Sequence, residues 1–485
     1  MSIRQNASYN LIGSFLPLLV SLITIPIYIR VIGEERYGIL AIVWLLLGYF
    51  GLFDLGLGRA TAQHVAAHRD ASDQERAQIF WTAFSLNLCL GILGGVLVWP
   101  ICLYFFEAVF KVEEAVIPEI QNAVPWLAIA VPIAVFSGTL TGALQGRERF
   151  LELNLVSVSG TLLFQILPLI VARYISVDLA VVLPAALFAR FLTVLALLGR
   201  CKRHILSGYA FSFSRVRARQ LLRFGGWITV TSFVGPMMVI LDRIIIGSLM
   251  GARAVTYYTV PFQLAERSGL IPSSLTAALF PRFSAVPLSD ERILAHEAMK
   301  VLVVIMTPII VTCVLFIKPF LTWWVGAEFG EESGFVGQVI LLGFWVNGFA
   351  KIPYAQLLAR GKPGLVAKCH LFELIPYFLL LYFGLYYFGL LGAAFAFTFR
   401  VFIDFVLLSA LAGGLSLLFG VVFIPAILLV GALFVSSQLS SDNQFFVTSI
   451  FGYLSITTGW AWWRAPNSIR NQVIATMKPF FKGHK

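Results

Sequence analysis

Apolar runs long enough to cross a bilayer, about 20 residues each, follow one another along the whole chain with only short polar breaks. Fourteen can be placed, at roughly 8–30, 38–62, 79–106, 118–144, 151–174, 178–199, 222–248, 256–280, 293–317, 335–358, 365–384, 389–411, 415–436 and 445–463. A water-soluble fold cannot keep that much apolar surface from solvent. Charged residues make up 12% of the 485 residues and hydrophobic ones 59%, whereas soluble domains carry about 25% charged residues. The composition excludes a soluble enzyme, a disordered chain and a disulfide-rich secreted module. The expected fold class is an all-α polytopic membrane protein, because helices satisfy their own backbone groups in hydrocarbon. The stretch from Leu11 to Ile29 is too long for a signal-peptide core and has no small-x-small cleavage site, so it reads as the first span.

The net charge of +11 would suggest nucleic acid in a soluble protein. Here it reads as positive-inside loops, with membrane lipids and no nucleic acid as partners. The even-numbered loops are basic, among them Arg147 and Arg149, and Arg360 and Lys362. The odd-numbered ones are acidic or bare, with Glu107, Glu113, Glu114 and Glu119, then Asp178, then Glu328, Glu331 and Glu332. Both termini are then expected in the cytoplasm, as an even span count requires. Five cysteines without a CxxC pair point to neither a disulfide framework nor a metal site. His64 and His68 lack a third metal partner. No cofactor is called for.

The longest basic connection, 200–222, divides the chain into an N-lobe over 1–199 and a C-lobe over 223–411, with two further spans and a basic tail over 412–485. That connection is either a linker lying on anionic headgroups or a hinge between two six-helix lobes. The lobes echo each other. Phe164-Gln165-Ile166-Leu167-Pro168 matches Phe372-Glu373-Leu374-Ile375-Pro376, Arg190 matches Arg400, and the turn Gln145-Gly146-Arg147 matches Arg360-Gly361-Lys362. With six spans each, the repeats run parallel about an axis normal to the membrane. Two such lobes are expected to enclose a central cavity and to rock against each other.

A charge at membrane depth costs roughly 2.5–3.5 kcal/mol on insertion scales, so each one needs a reason. Glu266 and Arg267 fall near the middle of span 8, between Pro261 and Pro272, where a broken helix would line a wet space. Glu373, Arg190, Arg400 and Asp404 are also deep, with Asp404 one turn beyond Arg400. Asp54 and Arg59 lie in a glycine-rich run at the inner end of span 2, and Lys351 can snorkel inward. These groups form either a web of interhelical ion pairs or a hydrated cavity that offers arginines to an anion. In the second case the carboxylates could bind a coupling proton or cation. The patterns Gly91-x3-Gly95 and Gly138-x3-Gly142-x3-Gly146 suit close helix packing.

The N-terminal 60 residues carry a more specific signal. Asn10-x-x-Gly13, Pro26-x-Tyr28-x-Arg30-x-Ile32-Gly33-x3-Tyr37-Gly38 and Phe50-Gly51-Leu52-Phe53-Asp54-Leu55-Gly56-Leu57-Gly58-Arg59 together resemble the Wzx-type polysaccharide and O-antigen unit flippases. These belong to the multidrug/oligosaccharidyl-lipid/polysaccharide exporter superfamily. The turn Gln145-Gly146-Arg147 and the segment Tyr257-Tyr258-x-x-Pro261 are similar too. The resemblance implies two six-helix bundles plus two extra helices. It implies a substrate of undecaprenyl diphosphate carrying an oligosaccharide, moved across the inner membrane by alternating access. It also implies a polysaccharide polymerase and chain-length machinery as candidate partners. A diphosphate is best met by arginines in a low-dielectric space. The candidate substrate-binding set is Arg30, Arg59, Arg190, Arg267 and Arg400, and the candidate ion-coupling set is Asp54, Glu266, Glu373 and Asp404. Only Asp54 and Arg59 rest on a good local match within that motif.

Two rivals are less favoured. A cation-coupled multidrug exporter would want acidic sites and fewer deep arginines. A membrane polysaccharide polymerase or other enzyme would want a large outer loop or a catalytic constellation, and the odd-numbered loops are under about 20 residues long.

Overall fold

The computed structural model describes residues 3–68, 72–206, 208–438, 444–466 and 470. All of the regular structure among them is helical: α1 (Ile3–Tyr49), α2 (Leu57–Ala67), α3 (Asp73–Tyr104), α4 (Ile117–Gly146), α5 (Phe150–Tyr174), α6 (Leu179–Cys201), α7 (Arg215–Met250), α8 (Ala252–Glu266), α9 (Leu270–Ala285), α10 (Leu288–Trp324), α11 (Ala327–Ala359), α12 (Pro363–Ala412), α13 (Leu415–Gln438) and α14 (Gln444–Arg464), with short 3-10 and π turns between some of them. The fourteen expected crossings each find a helix. α1 and α12 bend at Gly33 and Gly389 and supply two crossings each, while α8 and α9 together make one. The chain is thus a multi-pass membrane protein. By contacts it divides into two compact units, Met1–Thr256 and Tyr257–Lys485.

In the first unit the small residues set the packing. A Cβ added at Gly91 would lie 2.8 Å from the Pro132 Cα, and one at Gly95 would lie 2.6 Å from the Ala128 carbonyl oxygen, so α3 and α4 touch backbone to backbone. On the other side of α4, Gly142 sits against Gly58 and Gly146 against Ala62, both on α2. The flanking core is apolar, with Phe80, Leu140, Ala143 and Leu144 fully buried. The two hairpin tips on the acidic-loop side also interlock. Gly33 (φ 81°, ψ 164°) and Gly251 (φ 90°, ψ 173°) share one positive-φ backbone turn. Glycine enters that turn without the clash a Cβ would bring. The Arg253 Nε donates to Glu34 Oε2 at 2.6 Å and its backbone N–H to Glu35 Oε2 at 3.1 Å; Thr256 Oγ1 donates to the Glu34 carbonyl at 2.7 Å.

The N-terminal motif residues are largely scaffold. Tyr28 and Tyr37 are fully buried. Each meets Trp44 edge-on, and the Tyr28 hydroxyl donates to the Gln165 carbonyl on α5 at 2.9 Å.

The second unit is built around α11, which packs between α10 and α12 and is buried along most of its length. Phe262, Phe344 and Phe397 form one aromatic cluster with ring centroids 5.0–5.3 Å apart. At the basic-loop end Glu291 is buried and takes Arg360 through both carboxylate oxygens, at 3.0 and 3.1 Å. Gln356 donates to the same carboxylate, and one terminal nitrogen of Arg360 reaches the Ala412 carbonyl. That knot ties the ends of α10, α11 and α12.

Candidate functional site

The break expected in span 8 falls where the two prolines place it. α8 ends at Glu266, a 3-10 turn covers Arg267–Gly269, and α9 resumes at Leu270. Pro261 and Pro272 each remove one i→i−4 hydrogen bond on either side of the turn. Glu266 and Arg267 are both exposed and form no ion pair among the described residues. An arginine and a glutamate exposed halfway along a spanning helix are each costly in hydrocarbon, roughly 2.5–3.5 kcal/mol on insertion scales. Lys351, on α11, closes the break: its Nζ donates to the Ser273 Oγ and to the Gly269 carbonyl, the latter at 3.5 Å. Glu266 is the acidic group that acts on this ammonium.

A second constellation lies on α12, on both sides of its bend. Glu373 is 3% exposed, and neither of its carboxylate oxygens has a hydrogen-bond donor among the described residues. Its ionisable neighbours are Asp404 and Arg400. The Arg400 guanidinium stands 5.6 Å from the Tyr377 ring centroid. Asp404 Oδ1 is 3.4 Å from His370 Nε2. Two carboxyl groups within reach of each other can share one proton, and a cation beside them offsets their mutual repulsion. Buried acceptors without donors are rare in folded proteins and ask for an explanation.

The first unit uses its ionisable groups differently. Asp54 closes a 3-10 turn (Phe50–Asp54), and Leu55 and Gly56 then turn left-handed. The Asp54 Oδ1 accepts the Gly56 N–H at 2.7 Å. The Oδ2 accepts the Gly58 N–H at 3.0 Å. Together these bonds cap α2, whose first N–H groups have no partner within the helix. Span 2 is therefore broken, where continuous apolar residues suggested one helix over 38–62. Arg190 donates to the Leu47 carbonyl at 3.2 Å and lies 4.6 Å over the Phe164 ring, a cation–π contact worth about 0.5–2 kcal/mol. Arg400 also stands over an aromatic ring, that of Tyr377, although the repeat partner of Phe164 is Phe372, and the first unit has Gln165 and Val194 at the positions matching Glu373 and Asp404. Arg30 and Arg59 are exposed.

The structure thus gathers Glu373, Arg400 and Asp404 with Tyr377 and His370, and Glu266 and Arg267 with Lys351. Arg30, Arg59, Arg190 and Asp54 belong to the first unit. Sequence reasoning missed His370, Ser273 and the Glu291–Arg360 knot. A signal for the last was present: Glu75-Arg76 at the start of α3 and Glu291-Arg292 at the start of α10 are a further pair of repeat positions.

This helical fold, with its broken helix between α8 and α9, has counterparts among known proteins. A family model described as polysaccharide biosynthesis protein matches residues 3–286. A Shigella flexneri protein named as a candidate O-antigen transporter is 31% identical over 414 residues, 84% of this chain and 97% of that protein. Among solved structures, lipid II flippase MurJ in an inward closed conformation aligns with a TM-score of 0.71 at 14% identity, covering 93% of this chain and 97% of that one. An inward-facing multidrug resistance MATE family transporter of the MOP superfamily aligns at 0.68 and 16% identity, covering 89% and 99%. At those identities the structures speak for the fold alone. The chain belongs to the polysaccharide biosynthesis protein family.

Proposed function

We propose that this protein is a flippase for undecaprenyl-diphosphate-linked oligosaccharide units, serving cell-surface polysaccharide synthesis such as that of O-antigen or exopolysaccharide. The observation that carries the reading is Arg267, exposed and without an ion pair among the described residues, on the turn between two half-helices at membrane depth. A guanidinium there meets a diphosphate with short, charge-assisted hydrogen bonds, and no multidrug cation would be drawn to it. The near full-length likeness to a candidate O-antigen transporter supports the substrate class.

In this reading Arg30, Arg59, Arg190, Arg267 and Arg400 serve the substrate anion. Glu373 and Asp404 carry the coupling ion, with Asp54 and Glu266 as the further candidates. Two lobes, 1–199 and 223–411, expose the arginines to each side of the inner membrane in turn, with both termini in the cytoplasm. Transport makes and breaks no covalent bond, so the protein is not an enzyme. A polymerase and chain-length machinery would receive its product. The test is a deletion strain. It should accumulate lipid-linked glycan on the cytoplasmic leaflet and lose surface polysaccharide, and the gene should restore both. A deletion strain with normal surface glycan and no accumulated intermediate contradicts the proposal.

A further inference from the structure

The basic connection between α6 and α7 is more than a linker, and nothing in the transport reading uses it. After α6, residues 209–214, which form no helix, cross the start of α3. They are pinned there: Gln78 Nε2 donates to the Ser212 Oγ at 3.1 Å, the Ser214 N–H donates to the Thr82 Oγ1 at 3.2 Å, and the Phe211 ring centroid lies 5.6 Å from that of Trp81. Tyr209, Phe211 and Phe213 on this segment are 41, 63 and 45% exposed.

α7 then opens with Ser214 as its N-cap. Ala218 and Leu221 are buried, Leu221 among Leu57, Ala60 and Ala83. On the other side of the helix, Arg215, Arg219 and Arg223 recur every four residues and are all exposed. Like charges at that spacing repel. Arg215 also sits at the positive end of the helix dipole, and the first turn contains no acidic residue. Arg217, off this stripe, is spoken for by His68 Nε2 at 3.0 Å. Between residues 200 and 223 the chain contains no Asp or Glu at all. The stripe is locally unfavourable and has no counter-charge within its own segment.

We propose that residues 209–223 form a docking strap for anionic phospholipid headgroups, with Tyr209, Phe211 and Phe213 seated in the interface and Arg215, Arg219 and Arg223 on the phosphates. The charge complementarity is direct, aromatic rings favour the headgroup region, and the pins to α3 fix the height of the strap against the bilayer. The strap is then an anchor of the first unit rather than a free hinge.

Native mass spectrometry of the full-length protein, titrated in neutral detergent with phosphatidylglycerol or phosphatidylcholine, tests this. Phosphatidylglycerol should bind in preference. R215Q/R219Q/R223Q should lower its affinity roughly a hundredfold, at about 1 kcal/mol per cation and about tenfold per 1.4 kcal/mol. F211S/F213S should weaken both lipids. Wild-type affinity for phosphatidylglycerol in the triple variant overturns the proposal. So does displacement of the lipid by equimolar inorganic phosphate, which would make this a phosphate site. Should the triple variant aggregate, R219Q alone should still weaken binding about fivefold, and an unchanged affinity there overturns the proposal equally.

Discussion

Replacing Arg400 by alanine is expected to cut glycan export about 10- to 100-fold while the protein still inserts and survives purification. The size follows from one charge-assisted hydrogen bond to phosphate, about 1.5–3 kcal/mol, at about tenfold per 1.4 kcal/mol. The alternative role of Arg400 is local. Glu373 and Asp404 are its carboxylate neighbours, and stripping the cation from a buried cluster can cost about 3–5 kcal/mol of stability. A double variant separates the two. If Arg400 only balances Glu373, Arg400→Ala lowers the amount of monodisperse protein and adding Glu373→Gln restores it, because charge falls by one on each side. If Arg400 serves the substrate, the single variant keeps its yield of monodisperse protein while surface polysaccharide falls. The second outcome is expected.

The second large effect is structural. Gly142→Ala should sharply reduce the yield of folded protein. The new methyl carbon would fall 2.0 Å from the Gly58 carbonyl oxygen and 2.8 Å from its carbonyl carbon. Those are backbone atoms of α2, and they cannot rotate away as a side chain could. Overpacking commonly costs about 1–3 kcal/mol, and a collision this close lies at the upper end or beyond. The contact also sits one turn from Gly138, whose own added Cβ would be 2.8 Å from the Asp54 Oδ2. Pushing α4 from α2 therefore strains the Asp54 cap as well. Gly48→Ala is the matched control: it lies inside α1 and a Cβ there meets nothing within 4 Å. Helix propensity even favours that change by up to about 1 kcal/mol. Equal yields for the two variants, measured by fluorescence-detected size exclusion, would show that the α2–α4 contact does not govern folding.

What the sequence made legible follows from which physics is local. Hydropathy alone places the crossings, since a bilayer demands runs of fixed length. Pro261 and Pro272 place the break in span 8, because a missing N–H is a property of the residue itself. The break in span 2 was less visible: it holds no proline, and Asp54-x-Gly56 reads as part of a family motif before it reads as a side-chain cap followed by a left-handed turn. The paired bends at Gly33 and Gly251 were hidden as well. Glycine permits that conformation without requiring it, and this chain has 40 glycines. Long-range partners left no local trace. Glu34 and Arg253 are 219 residues apart, and Lys351 meets Ser273 across 78. The i,i+4 spacing of Arg400 and Asp404 was readable, whereas their company with Glu373, Tyr377 and His370 needed the bend at Gly389 that folds α12 back on itself.

Transport as proposed turns on arginine reading a diphosphate at membrane depth. The most direct measurement compares binding of one glycan carried on undecaprenyl diphosphate with the same glycan on undecaprenyl monophosphate, using wild-type protein and Arg267→Gln in lipid nanodiscs. The wild type should prefer the diphosphate by at least about tenfold, one charge-assisted bond's worth, and Arg267→Gln should lose most of that preference while its monophosphate affinity changes little. Equal affinity of the wild-type protein for both carriers would contradict recognition of the diphosphate by arginine.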